Sequence, residues 1–171
     1  MVSNAFFSAN ARLQKDRGQT VVTSGPYRLV RHPAYLGGVI SAVDLINGIA
    51  RVAGMETVRV PGATGFLDTD YGAKGRYCVE ALKRLDFLYL HVEAPDEAGH
   101  MGDLDEKILA IERLDTMIGG IMESFRGVVA VLPDHPTPVK VRTHTAAPVP
   151  FLVHGKGRDA TRCYSEKEAE K

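Results

Sequence analysis

Cysteine is scarce in this chain. Cys78 and Cys163 are its two cysteines in 171 residues, and they stand far apart with no C-x-x-C pair. That spacing excludes a zinc knuckle and a disulfide scaffold, and it fits a reducing cytosol. Long hydrophobic runs are missing too: no stretch approaches the ~20 apolar residues needed to span a bilayer. No membrane partner is expected. Neither sign of charge predominates, since Lys plus Arg and Asp plus Glu both total 21 and the basic residues are scattered. No nucleic-acid partner is expected on that balance. No basic segment followed by an apolar stretch comes after Met1, so no signal peptide is read and a cytoplasmic location is expected. Repeats and low-complexity segments are lacking as well. What the chain does have is 44% hydrophobic and 25% charged residues, the make-up of a globular body with a sizeable core.

Hydrophobic periodicity predicts an α/β fold. Ser41, with Asp44 three residues later, predicts the start of an amphipathic helix through Val43, Ile46, Ile49 and Val52, which Gly54 can end. A strand is expected near Thr57 to Val60, and a helix from Asp70 to Leu85 follows a Gly- and Pro-rich loop. Phe87 to Val92 and Gly127 to Leu132 are short apolar runs of the kind buried on both faces of a sheet. Between them Leu104, Ile108, Ile111, Leu114, Ile118, Ile121 and Phe125 recur at helical spacing behind a candidate N-cap, Asp103. Strand, loop, helix, strand is a βαβ unit with parallel strands. A last strand is expected at Val149 to Val153, where Pro150 points to an edge or a strand start.

The chemistry-bearing residues sit at the predicted strand tips. Glu93-Ala94-Pro95-Asp96-Glu97-Ala98-Gly99-His100, Pro133-Asp134-His135-Pro136 and Arg142-Thr143-His144-Thr145 place two carboxylates and three imidazoles at three expected loops. Taken singly, each is more often a solvated side chain or a cap than a ligand. Five potential ligands at the carboxyl ends of one sheet point instead to a metal site. Carboxylate oxygen with neutral imidazole nitrogen suits Mn²⁺, Zn²⁺ or a similar divalent ion, which can clamp attacking and leaving oxygens in a displacement at phosphorus. Phosphate transfer or hydrolysis is the expected chemistry. His91, inside a predicted strand, reads as a core histidine with a hydrogen-bonded ring, and His154 as exposed.

The same three segments, extended to Val92–His100, Val131–Pro138 and Arg142–Phe151, resemble the archaeal-type cofactor-independent phosphoglycerate mutases, members of the alkaline phosphatase superfamily. The resemblance runs from about Ile40 to the C-terminus and includes Ile40–Ile46 and Pro61–Tyr71. It implies part of a three-layer alkaline-phosphatase-like domain with a mostly parallel sheet. It implies that Asp96, His100 and His144 bind one metal ion and that Asp134 and His135 bind another. The ions implied are Mn²⁺, Zn²⁺, Mg²⁺ or Co²⁺, the substrate is a phosphoglycerate, and no 2,3-bisphosphoglycerate is required. The family completes its second metal site with an Asp and a nucleophilic Ser that have no counterpart here. An incomplete, inactive portion of an isomerase is therefore expected. Lys74 resembles a phosphate-contacting lysine, with a solvated charge on a helix as the alternative. Two further readings stand beside the mutase: another metal-dependent phosphohydrolase of the same superfamily, or a non-catalytic chimeric fragment. Pro61 to Tyr71 argues for the mutase.

Residues 1–39 carry a second resemblance. Gly25-Pro26-Tyr27 and Arg31-His32-Pro33-Ala34-Tyr35 are similar to the isoprenylcysteine carboxyl methyltransferase and phospholipid methyltransferase group. The resemblance implies S-adenosylmethionine contacts for Arg31, His32 and Tyr35, but the rest of that site, and the membrane helices those enzymes sit among, have no counterpart. Residues 1–39 are thus expected to be a leader without a catalytic role, joined near 38–41 to a metal-binding portion over 40–171. Ser24, in Thr23-Ser24-Gly25, is not expected to be a nucleophile. Tyr164 to Lys171 resembles the start of a closing helix that continues further in the family, so both borders are expected to be cuts.

Overall fold

A computed structural model describes residues 37–169. Its secondary structure is α/β, and the chain divides into two compact units. Within the described residues the first unit takes 37–63 and 72–92, and the second takes 64–71 and 93–169.

The first unit is built on a parallel sheet. Strand β1 (Gly37–Ile40) lies between β2 (Glu56–Thr57) and β3 (Phe87–Leu90), parallel to both. Val39 and Ile40 are almost fully buried at 3% and 1% exposure, which makes β1 the hydrophobic centre of this sheet. Gly38 is closely approached by side chains: a Cβ there would stand 2.5 Å from Leu85 Cδ1 and 3.2 Å from Leu88 Cδ1, so those leucines would have to shift. Helix α1 (Asp44–Val52) follows β1, and Gly54 ends it at φ 77°, as its position predicts. Helix α2 (Tyr71–Ala81) precedes β3, with Ala73, Cys78 and Ala81 buried along it.

Val43, not the expected Ser41, is the N-cap of α1, and it makes no side-chain cap bond. Ser41 Oγ instead accepts from the Val43 N–H at 3.0 Å and lies 3.3 Å from His91 Nδ1, while the Ser41 carbonyl accepts from Asn47 Nδ2. His91 has the expected hydrogen-bonded ring, but it lies just past the end of β3 and is half-buried rather than in the core, stacked on Tyr89. The β3 run is not buried on both faces, because Phe87 and Tyr89 alternate outward at 55% and 39% exposure.

The second unit packs two helices beside a small antiparallel sheet. Helix α3 (Ala94–Met101) carries Pro95 in its first turn and ends at Gly102, whose φ of 77° is the left-handed cap that glycine adopts readily. Helix α4 (Leu104–Ser124) begins at Asp103, whose side chain accepts from the Glu106 N–H at 2.9 Å, as its sequence predicts. The two helices pack on each other. Strands β4 (Val129–Val131) and β5 (Leu152–His154) pair antiparallel, and α5 (Glu166–Ala169) follows. Tyr164 Oη donates to the carbonyls of Val131 and Pro150, which ties the segment after β5 back to β4 and to the approach to β5. His154 is exposed.

The expected βαβ pairing of the runs around Phe87 and Val129 does not form. β3 takes β1 as its parallel neighbour, and β4 takes β5. The chain distance from β4 to β5 is spanned by a loop, and an antiparallel partner reached that way needs no crossover helix. Among the described residues no helix is long and apolar enough to cross a membrane.

Candidate metal centre

Asp96 and His100 are not on a loop, as their sequence suggests, but on α3, four residues apart, so helical geometry stacks them on one face. His100 Nε2 lies 3.3 Å from Asp96 Oδ2. Asp134 and His135 occupy the bend just after β4, where the Asp134 carboxylate accepts from the His135 backbone N–H. His144 follows a turn in which the Val141 and Arg142 N–H groups both donate to the Pro138 carbonyl, and Arg142 sits at φ 58°. The Thr145 N–H then donates to the Pro136 carbonyl at 3.0 Å, closing the segment from Pro136 to Thr145. That closure brings the rings of His135 and His144 to a centroid separation of 3.6 Å.

Asp96, His100 and His144 each offer a donor atom, and these atoms lie within 4.8 Å of one another. His144 Nε2 is 3.0 Å from His100 Nε2 and 3.5 Å from Asp96 Oδ1. Ligands held at ~2.0–2.2 Å around a tetrahedral ion stand roughly 3.3–3.6 Å apart, so donors this close could share one metal ion. The tautomer suits it as well. His100 Nδ1 lies 3.1 Å from the Arg142 carbonyl, which can only accept, so Nδ1 is the donor there and Nε2 is the nitrogen that faces His144 and Asp96. Asp134 and His135 lie beside this trio. His135 Nε2 is 3.4 Å from Asp134 Oδ2, and His135 Nδ1 is 3.9 Å from Asp96 Oδ1. All five side chains are partly exposed, which leaves the donors open to an incoming ion.

Three residues around Asp96 are not singled out as site residues by the sequence. Thr137 is 4% exposed, and its hydroxyl donates to Asp96 Oδ1. Lys107 Nζ donates to the Thr137 carbonyl at 2.7 Å. Burial pushes the Lys107 ammonium below its ordinary range, while the Asp96 charge opposes that shift. Gly99 lets both approach α3. Thr137 follows directly on the Asp134-His135-Pro136 run, but nothing in spacing alone marks its hydroxyl as aimed at residue 96.

The remaining sequence candidates lie elsewhere. Lys74 belongs to the first unit and is fully buried, with Nζ donating to the His91 carbonyl at 3.4 Å, so it is not the solvated charge of the alternative reading. Ser24, Arg31, His32 and Tyr35 fall outside the described residues.

A centre of clustered carboxylate and imidazole donors on an α/β frame defines a metal-binding protein class, and comparison with known families agrees. The chain belongs to the metalloenzyme superfamily, whose model matches residues 32–171. Residues 2–57 also match the isoprenylcysteine carboxyl methyltransferase (ICMT) family, and the two matches overlap over 32–57. Among curated relatives, the 2,3-bisphosphoglycerate-independent phosphoglycerate mutase 2 of Methanothermobacter thermautotrophicus is 54% identical over 136 residues, which cover 77% of this chain and 34% of the relative. The 2,3-bisphosphoglycerate-independent phosphoglycerate mutase of Methanothrix thermoacetophila is 50% identical over 129 residues, 71% of this chain and 32% of that protein. The solved structure of the PH0037 protein from Pyrococcus horikoshii superposes with a TM-score of 0.75 at 39% identity, covering 78% of this chain and 42% of that one. The chain thus spans about a third of the length of the curated relatives it matches.

Proposed function

We propose that residues 40–171 are the metal-binding portion of a cofactor-independent phosphoglycerate mutase, a cytoplasmic enzyme that interconverts 3- and 2-phosphoglycerate without 2,3-bisphosphoglycerate. The observation that carries this reading is the convergence of Asp96, His100 and His144, with Asp134 and His135 beside them, in a chain half-identical to such mutases. Asp96, His100 and His144 would hold one divalent ion, and Asp134 with His135 would contribute to a second. Bound there, such ions supply Lewis-acid neutralisation of phosphoryl oxygens.

The chain's own residues prepare that role. The Arg142 carbonyl fixes the His100 tautomer, and helix α3 fixes the spacing of Asp96 and His100. The serine that would carry the phosphate, and the carboxylate that would complete the second metal site, have no counterpart in the matched motifs.

With Mn²⁺ and 3-phosphoglycerate, the 171-residue protein is expected to show no turnover above a metal-only control. Supplying in trans the part of a mutase relative that lies outside the match should restore 2-phosphoglycerate formation, and His100→Ala should abolish it. Restoration that survives His100→Ala would overturn the assignment of the centre. No restoration, with the two polypeptides shown to associate, would overturn the mutase reading itself.

A further inference from the structure

Asp96 is gripped from behind by groups from two other segments. Thr137, from the loop after β4, is more than nine-tenths buried, and its hydroxyl donates to Asp96 Oδ1 while lying 3.4 Å from His135 Nδ1. Its carbonyl in turn accepts from Lys107 Nζ of α4 at 2.7 Å. On α3, Gly99 leaves room for that junction. A Cβ at Gly99 would stand 2.9 Å from Lys107 Nζ and 3.0 Å from Thr137 Cγ2, and would run into the Thr137 carbonyl oxygen. Two helices and the ligand-bearing loop therefore meet at one hydrogen-bonded point behind a single carboxylate.

We infer that Lys107, Thr137 and Gly99 form a clamp that positions the Asp96 carboxylate for an ion shared with His100 and His144. A free Asp rotates about two side-chain bonds. Here one lone pair of Oδ1 is taken by the Thr137 hydroxyl, which sets the carboxylate plane and leaves Oδ2 turned to His100 Nε2 at 3.3 Å. Thr137 is positioned through its own main chain, because the ammonium of Lys107 holds its carbonyl. The same hydroxyl reaches toward His135, so the clamp also links the trio to the neighbouring pair. These are positioning residues that touch no substrate. The inference rests on the metal-site reading above.

Co²⁺ is the probe, because its visible absorption reports the ligands directly. The full chain, stripped with chelator, would be titrated with Co²⁺ alongside Thr137→Val, Thr137→Ser and Lys107→Met. Losing a group that orients a metal ligand costs ~10–100-fold in affinity. Thr137→Val should weaken Co²⁺ binding on that scale, Thr137→Ser should restore it, and Lys107→Met should fall between. Equal binding by wild type and Thr137→Val would overturn the clamp while leaving the metal site standing. Equal weakening by Thr137→Val and Thr137→Ser would also overturn it, since packing rather than the hydroxyl would then be at work. No Co²⁺ absorption from wild type would remove the metal site and the clamp together. Lys107→Met, at a half-buried position, keeps the test open if Thr137→Val fails to fold.

Discussion

Burial decides the behaviour of single residues more than charge does in this chain. Cys78 sits inside the first unit, and desolvation pushes its thiol from an ordinary 9.0 up to about 11. Cys163 is exposed. The thiolate is the reactive form, so at pH ~8.5 iodoacetamide should modify Cys163 at least about ten times faster than Cys78 in the folded protein. Peptide mass mapping over time reads this, and comparable rates would contradict the burial of Cys78. The sign of the linkage follows. The folded thiol has the higher pKa, so its contribution to stability is fully present below pH 9.0 and is lost as pH rises toward about 11. At this scale the sequence shows the donors but not their support. Asp96, His100, Asp134, His135 and His144 stand out as candidates because they follow apolar runs in segments that resemble a metalloenzyme family, and Asp96, His100 and His144 do converge. Thr137 and Lys107 do not stand out, because a hydroxyl and an ammonium acquire direction only when segments 30 to 41 residues apart meet.

Helices are easier to find in this sequence than to orient. The expected stripe of α4 includes Leu104, Ile108 and Ile111, yet all three are exposed, and the apolar residues that bury or half-bury are Ala110, Leu114, Met117, Ile118, Ile121 and Met122. Helix α1 shows the same shift: Ile49 and Val52 point out, while Ala50 is buried and Ile46 and Asn47 are half-buried. Periodicity marks a helix well, but where apolar residues cover more than half the circumference it does not choose the face. The segment of α3 reads as a loop, although Pro95 in its first turn, Gly102 at its end and the four-residue step from Asp96 to His100 are helix signals. Eight residues with so few large apolar side chains give periodicity little to act on. Local capping chemistry is a better guide. The Asp103 side chain satisfies the Glu106 N–H at the start of α4, so Asp103→Ala should destabilise the second unit by about 1 kcal/mol in urea denaturation. Asp103→Asn should retain most of that contribution, and a neutral Asp103→Ala would show the cap to be idle.

At the scale of the whole chain, two family signatures meet where the structure is continuous. The matches overlap over residues 32–57, and β1, α1 and β2 form one parallel arrangement inside that overlap. Strand β1 begins at Gly37, on the leader side of the junction expected near 38–41, and it is the middle strand of its sheet. The expected boundary therefore falls within a strand that holds both of its neighbours. Removing β1 would strip the ladder from Glu56–Thr57 and from Phe87–Leu90, and would expose side chains at the former sites of Val39 and Ile40. Each such buried aliphatic contributes about 1.5–3 kcal/mol, a large share of the roughly 5–15 kcal/mol that holds a typical domain. A polypeptide of residues 37–171 should thus keep slow amide exchange at Tyr89 and His91, whose N–H groups face β1, whereas one of residues 41–171 should lose it. The second unit offers the internal control. Its core at Ala110, Met117 and Ile121 belongs to the other compact unit, so protection along α4 should be the same in both polypeptides. Equal protection of β3 with and without β1 would mean that the parallel sheet is not what orders the first unit.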